Sequence, residues 1–382
     1  MPIGSDKGSF IKPGFLPLTV GPAGPTVAQA WAWGLNDLGS LGLGDTSIRS
    51  SPVQIGTEAH WASLSNGQNE SMGIRTDGSL WTWGNAVTYG QLGHGNKTSL
   101  SSPVQVGTLT DWLKPAASYM AMAAIKTDGT MWTWGRNTLD GRLGLGNTTD
   151  YSSPMQVGSL TTWATLSSGY YFTLAITTGG KLYAWGYNGN GNLGDGTTTA
   201  RLAPVQIGAL TTWATVAAGR QFTLAIKTDG TLWTWGRGTQ GQQGSGSTAN
   251  RSSPVQVGAL TNWLAVAGGK YYSKAVKTDG TIWCWGEGGS GQLGQNSTTD
   301  YSSPVQVGAL TTWLQVGGTY NGTLAIKTDG TLWGWGRNDS GQLGDGSVSQ
   351  RNSPIQIGSL TTWYEVSDSC ATSSSVFGTI AQ

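Results

Sequence analysis

Residues 222–258, FTLAIKTDGTLWTWGRGTQGQQGSGSTANRSSPVQVG, decide the fold. Residues 222–227 and 232–236 are short apolar segments separated by Thr-Asp-Gly-Thr. Asp-Gly between such segments is the strongest short-range signal of a hairpin, one whose two central residues are expected at positive φ. A glycine-rich loop then leads to a third strand at 254–258, and a turn over A-L-T-N leads to a fourth at 263–267. Outward from this unit, the same pattern recurs. The second tryptophan of W-x-W-G falls at Trp33, Trp83, Trp134, Trp185, Trp235, Trp285 and Trp335, at intervals of 50 or 51. The proline of S-P-V-Q-V-G keeps step from Pro52 to Pro354, and so does the tryptophan ending G-A-L-T-T-W, from Trp61 to Trp363. Seven units of three tryptophans would hold 21; Tyr183 replaces one, leaving the 20 in the chain, so every tryptophan belongs to the repeat.

Four antiparallel strands repeated seven times predict an all-β fold, a seven-bladed β-propeller over residues 28–382 built of four-stranded antiparallel blades. A blade alone is too small to bury its faces and packs them on its neighbours. A linear β-solenoid fits less well, because its coils are usually shorter than this period and need end caps. The chain begins with what is elsewhere a second strand (29–34) and ends with a first strand (373–378). Elsewhere those two are joined by a tight turn, T-D-G in five units, so the terminal strands are expected to pair and close the ring.

Composition narrows the function. Of 382 residues, 61 are glycine and only 11% are charged, with 21 basic against 20 acidic side chains. A net charge of +1 gives no long-range field for a polyanion, so nucleic acid is not an expected partner. Cys284 and Cys370 form no C-x-x-C pair, and His60 and His94 are the only histidines. A disulfide framework, a zinc site and a histidine-rich centre are thereby set aside, and no cofactor or metal is expected. No run approaches eighteen apolar residues, so membrane insertion is not expected. Residues 1–27 hold five of the 13 prolines and read as an extended arm before the propeller. Phe10, Ile11, Phe15, Leu16 and Leu18 give that arm more apolar side chains than a free tail needs, and suit it to docking in an assembly.

The motif A-I-K-T-D-G-T-L-W-T-W-G-R-N-x-x-G-Q-L-G-x-G followed by S-P-V-Q-V-G resembles the regulator of chromosome condensation repeat, a family of seven-bladed propellers. The resemblance covers about residues 28–382. It implies guanine-nucleotide exchange on a small GTPase, protein docking, or, as in one bacterial branch, inhibition of β-lactamases. The regularity of the units is similar to that of bacterial and phage members. The exchange role requires a long charged wedge loop, which no unit has. The β-lactamase inhibitors are secreted, and this sequence shows no export signal. The expectation is therefore a non-catalytic binding or structural propeller, a virion component whose arm docks on the particle while a rim meets a host surface molecule. The expected location is the virion, otherwise the cytoplasm; the oligomeric state stays open.

No residue set points to catalysis. The glycine clusters recur in every unit and precede no helix, which makes them loops and not phosphate cradles. The oxygen-rich run at Asn338, Asp339 and Ser340 with Asp345 carries too little charge for calcium. Cys284 reads as a small buried thiol, and both histidines as surface residues. What remains is the contrast between the rims. Alternating strand directions put the T-D-G and A-L-T-T turns on one rim, where the units are nearly identical. The other rim collects the varied links before the first strands and the loops after W-x-W-G. Tyr119, Arg136, Tyr170, Tyr171, Tyr187, Arg220, Arg237, Lys270, Tyr271, Tyr320 and Arg337 lie there. Tyrosine and arginine dominate binding hot spots, so this rim is the candidate surface for a protein partner.

Overall fold

The structure, a computed structural model, describes residues 28–57, 60–367 and 373–381. Within them, 28 strands form seven four-stranded antiparallel sheets and no helix. The expected propeller is what the chain forms. The arm residues 1–27, with Phe10, Ile11, Phe15, Leu16 and Leu18, lie outside the described residues.

The grouping of strands into blades differs from the sequence reading. The sheet built on the 222–236 hairpin runs, from the axis outward, Trp213–Ala218, Phe222–Lys227, Leu232–Gly236 and Arg251–Gln256. Trp263–Gly268, expected as the fourth strand of this sheet, is the innermost strand of the next one. The third strand likewise starts earlier than residue 254, because Gly236 pairs with Arg251 and Trp233 with Gln256. From that outer strand, residues 257–262 carry the chain back to the axis, where the free edge belongs to the next blade. The T-D-G turn also differs. Gly230 has positive φ and Asp229 does not. Gly230 N–H donates to the Lys227 carbonyl (2.9 Å), while Lys227 N–H donates to the Thr231 carbonyl (3.1 Å). A type I turn followed by a left-handed glycine gives this pattern, and Asp229 Oδ1 holds it by accepting from Thr231 N–H (3.0 Å) and Oγ1 (2.6 Å).

The core lies between blades. Phe222, Leu224, Ile226 and Leu232 of one sheet cluster with Trp263, Val266 and Trp285 of the next. The seven tryptophans that end W-x-W are completely buried. Trp263 meets Trp285 edge to face at 6.1 Å, and Trp285 donates its indole N–H to the Gln242 carbonyl of the preceding blade (2.9 Å). The ring closes as expected: Ala28–Gly34 pairs with Ser375–Ala381 along its whole length, from Ala28 opposite Ala381 to Gly34 opposite Ser375. One blade is thus shared by both chain ends, in the order Trp363–Val366, Ser375–Ala381, Ala28–Gly34, Arg49–Gln54.

Candidate functional site

Each blade sends its link between the inner and second strands, and the loop after W-x-W-G, to one rim. The links do not hang free. Tyr170 N–H donates to the Arg220 carbonyl (3.3 Å), Arg220 N–H to Gly269 (3.2 Å), Lys270 N–H to Tyr320 (3.0 Å) and Tyr320 N–H to Ser373 (2.9 Å). These bonds run from blade to blade and fix the backbone under the varied side chains.

All eleven candidate residues on this rim are half-buried. Tyr119 stacks on Tyr170 at 4.4 Å, Tyr170 meets Tyr171 at 4.1 Å, and Tyr171 reaches Tyr187 at 6.2 Å. Arg136 lies 5.9 Å from the rings of both Tyr119 and Tyr171. Farther round, Arg220 sits over Tyr170 (4.7 Å) and Tyr271 (5.6 Å), and Lys270 between Tyr271 (4.9 Å) and Tyr320 (4.5 Å). Alternating rings and cations thus run across adjacent blades. Arg337 stands apart, paired with Asp339.

Three further residues of this rim were not among the candidates. Tyr89 lies 5.1 Å under Arg136. Arg142 replaces the glutamine or asparagine of the recurring G-Q-L-G and is buried; it lies 4.3 Å from Tyr171, pairs with Asp140 (2.5 Å) and donates to the Tyr119 carbonyl (3.0 Å). Glu70 occupies the position of Phe172, Phe222 and Tyr272 and is equally buried. Its Oε1 accepts from Met120 N–H (2.6 Å), a residue held at φ 60°. Burial raises the Glu70 carboxyl to about 7, against the pull of the N–H groups of Met120, Asn69 and Gln68. The signal for Arg142 and Glu70 was an ionisable residue breaking a uniform motif.

Elsewhere the chemistry is quiet. Cys284 is buried, which pushes its thiol up to about 12 and leaves no thiolate for nucleophilic work. Cys370 lies outside the described residues. His60 is exposed, but His94 is half-buried, its Nε2 3.0 Å from Thr82 Oγ1, in a groove that Trp112 and Trp132 also line. Asp345 spends its oxygens on Arg351 (2.7 Å), Ser347 (2.8 Å) and Asn338 (3.0 Å). Among the described residues, no three His, Cys, Asp or Glu side chains gather where a metal could sit. No helix there is long and apolar enough to cross a membrane. The opposite rim is uniform but not inert: Leu109, Leu160, Leu210, Leu260, Leu310 and Leu360, at six of the seven blade-to-blade turns, are about half-exposed.

Such a ring of tandem repeats, uniform on one rim and varied on the other, defines a propeller scaffold. The chain matches the RCC1-like domain over residues 110–380 and the regulator of chromosome condensation (RCC1) repeat over 28–74 and 77–125, and it belongs to that family. It is 32% identical over 165 residues to the ultraviolet-B receptor UVR8 of Arabidopsis thaliana, covering 41% of this chain and 37% of that protein. To the mitochondrial RCC1 domain-containing protein RUG3 of the same plant it is 34% identical over 171 residues, covering 42% and 38%. The matched part therefore spans less than two fifths of either relative. Prp20p of Saccharomyces cerevisiae has the same fold, with a TM-score of 0.82 at 18% identity over 94% of this chain and 92% of that one.

Proposed function

We propose that the chain is a non-catalytic protein-binding propeller whose varied rim receives a protein partner. The observation that carries this is the run of half-buried tyrosine and arginine side chains on a backbone tied blade to blade. Tyrosine and arginine supply most hot spots, and side chains already ordered lose little further entropy on docking. The structure of Prp20p was described together with its binding to Gsp1p and histones, which supports a protein as the partner class.

A virion role, with the arm of residues 1–27 as anchor, gains nothing from UVR8 and RUG3, which are plant proteins, or from Prp20p, a yeast protein. Exchange on a small GTPase is the second reading, favoured by the likeness to Prp20p in fold. Inhibition of a β-lactamase rests on the family resemblance alone. A photo-crosslinking residue at Tyr187 on the varied rim, and in a second variant at Leu210 on the uniform rim, separates the faces in extract of the expressing cells. A discrete protein adduct at position 187 alone supports the proposal. Adducts at 210 alone overturn it.

A further inference from the structure

The cations of the varied rim fall into two kinds. Arg142 and Arg337 are each neutralised by a carboxylate, Asp140 and Asp339. Arg136, Arg220, Arg237 and Lys270 make no ion pair among the described residues. Three of these four converge on one phenol. Arg220 Nη1 donates to Tyr271 Oη at 2.9 Å and Arg237 Nη1 donates to the same oxygen at 3.2 Å. The Arg237 guanidinium lies 4.4 Å from the Tyr271 ring and the Lys270 ammonium 4.9 Å from it.

Like charges gathered in this way repel one another unless an anion joins them. The arrangement is nevertheless fixed. Arg237 is also held by Gln221 Oε1 (3.1 Å) and Thr239 Oγ1 (2.8 Å), and Lys270 by the facing ring of Tyr320 (4.5 Å). Arg220 Nε is buried with no hydrogen-bond partner. Because Tyr271 Oη accepts from both guanidinium groups, its own hydrogen is left to donate. Burial above all holds the Glu287 carboxyl above its ordinary range; Lys270 and Arg237 pull it down and Asp300 pushes it up, and among the described residues it forms no ion pair with either cation.

Resting on the rim reading above, we propose that Arg220, Arg237 and Lys270 around Tyr271 form an anion site for a carboxylate side chain in an acidic segment of the partner protein. Guanidinium forks match carboxylates in geometry. The flanking rings of Tyr170 and Tyr320 offer apolar contact to the residues on either side of that carboxylate. A nucleic acid fits worse, because Asp140, Glu287 and Asp339 interrupt the rim's positive charge and a continuous polyanion would meet all of them.

The test uses fluorescence anisotropy with a labelled peptide of alternating glutamate and tyrosine, and oligothymidylate as competitor. The peptide is expected to bind the wild-type chain more weakly as salt rises, and at least about tenfold more weakly to the Arg220→Gln/Arg237→Gln variant. Lys181→Gln, on the uniform rim, is expected to bind like wild type. Should the double variant unfold, Lys270→Met carries the same expectation. Equal affinity in wild type and the Arg variants, no binding at low salt, or displacement by oligothymidylate at lower concentration than by free peptide each overturns the anion site. Crosslinking from position 187 in the Arg220→Gln/Arg237→Gln background keeps the two proposals apart: an undiminished adduct sinks the anion site and leaves the rim reading standing.

Discussion

The indole N–H of Trp33 donates to the backbone carbonyl of Gln342 at 3.1 Å, although 309 residues separate them. Trp83, Trp185, Trp285 and Trp335 make the same bond to a carbonyl only 43 residues back, that of Ser40, Arg142, Gln242 and Gln292. The ring thus closes with the contact that joins four of its six other blade junctions. The covalent chain is absent at one place only, inside the shared blade.

That blade gives the first prediction. Ser375–Ala381 lies between Ala28–Gly34 and Trp363–Val366 in its sheet and pairs with both. Deleting residues 373–382 uncovers two sheet edges and removes Phe377 from Trp83, which it meets at 5.7 Å. Thermal unfolding is expected to begin well below the wild-type temperature, with the apolar-surface dye ANS bound beforehand. A superimposable melting curve would show that closure does not depend on this strand.

A second prediction compares two glycines of one loop. Gly194 (φ +84°) and Gly196 (φ +82°) are both left-handed, a conformation that costs an L-residue roughly 1–2 kcal/mol. They differ in what a Cβ would meet: Trp235 Nε1 at 2.6 Å for Gly194, and only Ser253 Oγ at 3.7 Å for Gly196. Gly196→Ala is expected to cost the conformational amount alone. Gly194→Ala adds an overlap with a buried ring, for a total of about 3 kcal/mol or more. Urea unfolding of the two variants checks the order, and equal midpoints would refute it.

W-x-W-G, the proline of S-P-V-Q-V-G and the tryptophan ending G-A-L-T-T-W together exposed the period, and the period with its hairpin signal was enough for the propeller and its closure. Strand grouping was not legible in the same way. Trp263 belongs with residues 272–277 and not with 251–256 because of where the inner edge lies, and a period has no phase. The rim side was legible from strand alternation. The convergence of Arg220 and Arg237 on Tyr271 was not, since they come from different loops and meet an aromatic of the next blade.

Nucleotide exchange supplies a third prediction. Exchange needs a protein element that displaces nucleotide or Mg²⁺ from the GTPase, and no loop between a W-x-W-G segment and the next S-P-V-Q segment carries a run of like charges. Titrating the chain against a small GTPase loaded with fluorescent GDP is expected to leave nucleotide release at its intrinsic rate. Acceleration that disappears in Arg136→Ala or Arg220→Ala would make exchange the function and overturn the non-catalytic reading.

The fourth prediction concerns pH. Two carboxyls are raised from 4.5 to about 7 by loss of hydration: Glu70, buried beneath the rim, and Glu365, half-buried by the axial channel, where the Lys114 charge only partly offsets the desolvation. Below about pH 4.5 these groups are protonated in folded and unfolded chains alike and cost nothing. Between 4.5 and 7 the folded chain keeps protons that the unfolded chain has lost, so stability falls as pH rises through that window, by up to about 3 kcal/mol at Glu70 and by less at Glu365, where water screens the charge. His94, whose pKa burial lowers, acts in the opposite sense nearer its ordinary value. The carboxylates lowered by their turn threonines, such as Asp229 and Asp279, matter only in more acid solution. The chain is therefore expected to melt at a higher temperature at pH 5 than at pH 8. Glu70→Gln with Glu365→Gln is expected to flatten that difference while keeping an oxygen to accept from Met120 N–H. The comparison of slopes matters more than absolute stability, since each new amide brings donors that need partners. A wild-type chain equally stable at both pH values, or a double variant with an unchanged slope, would show that these carboxyls do not titrate in this window.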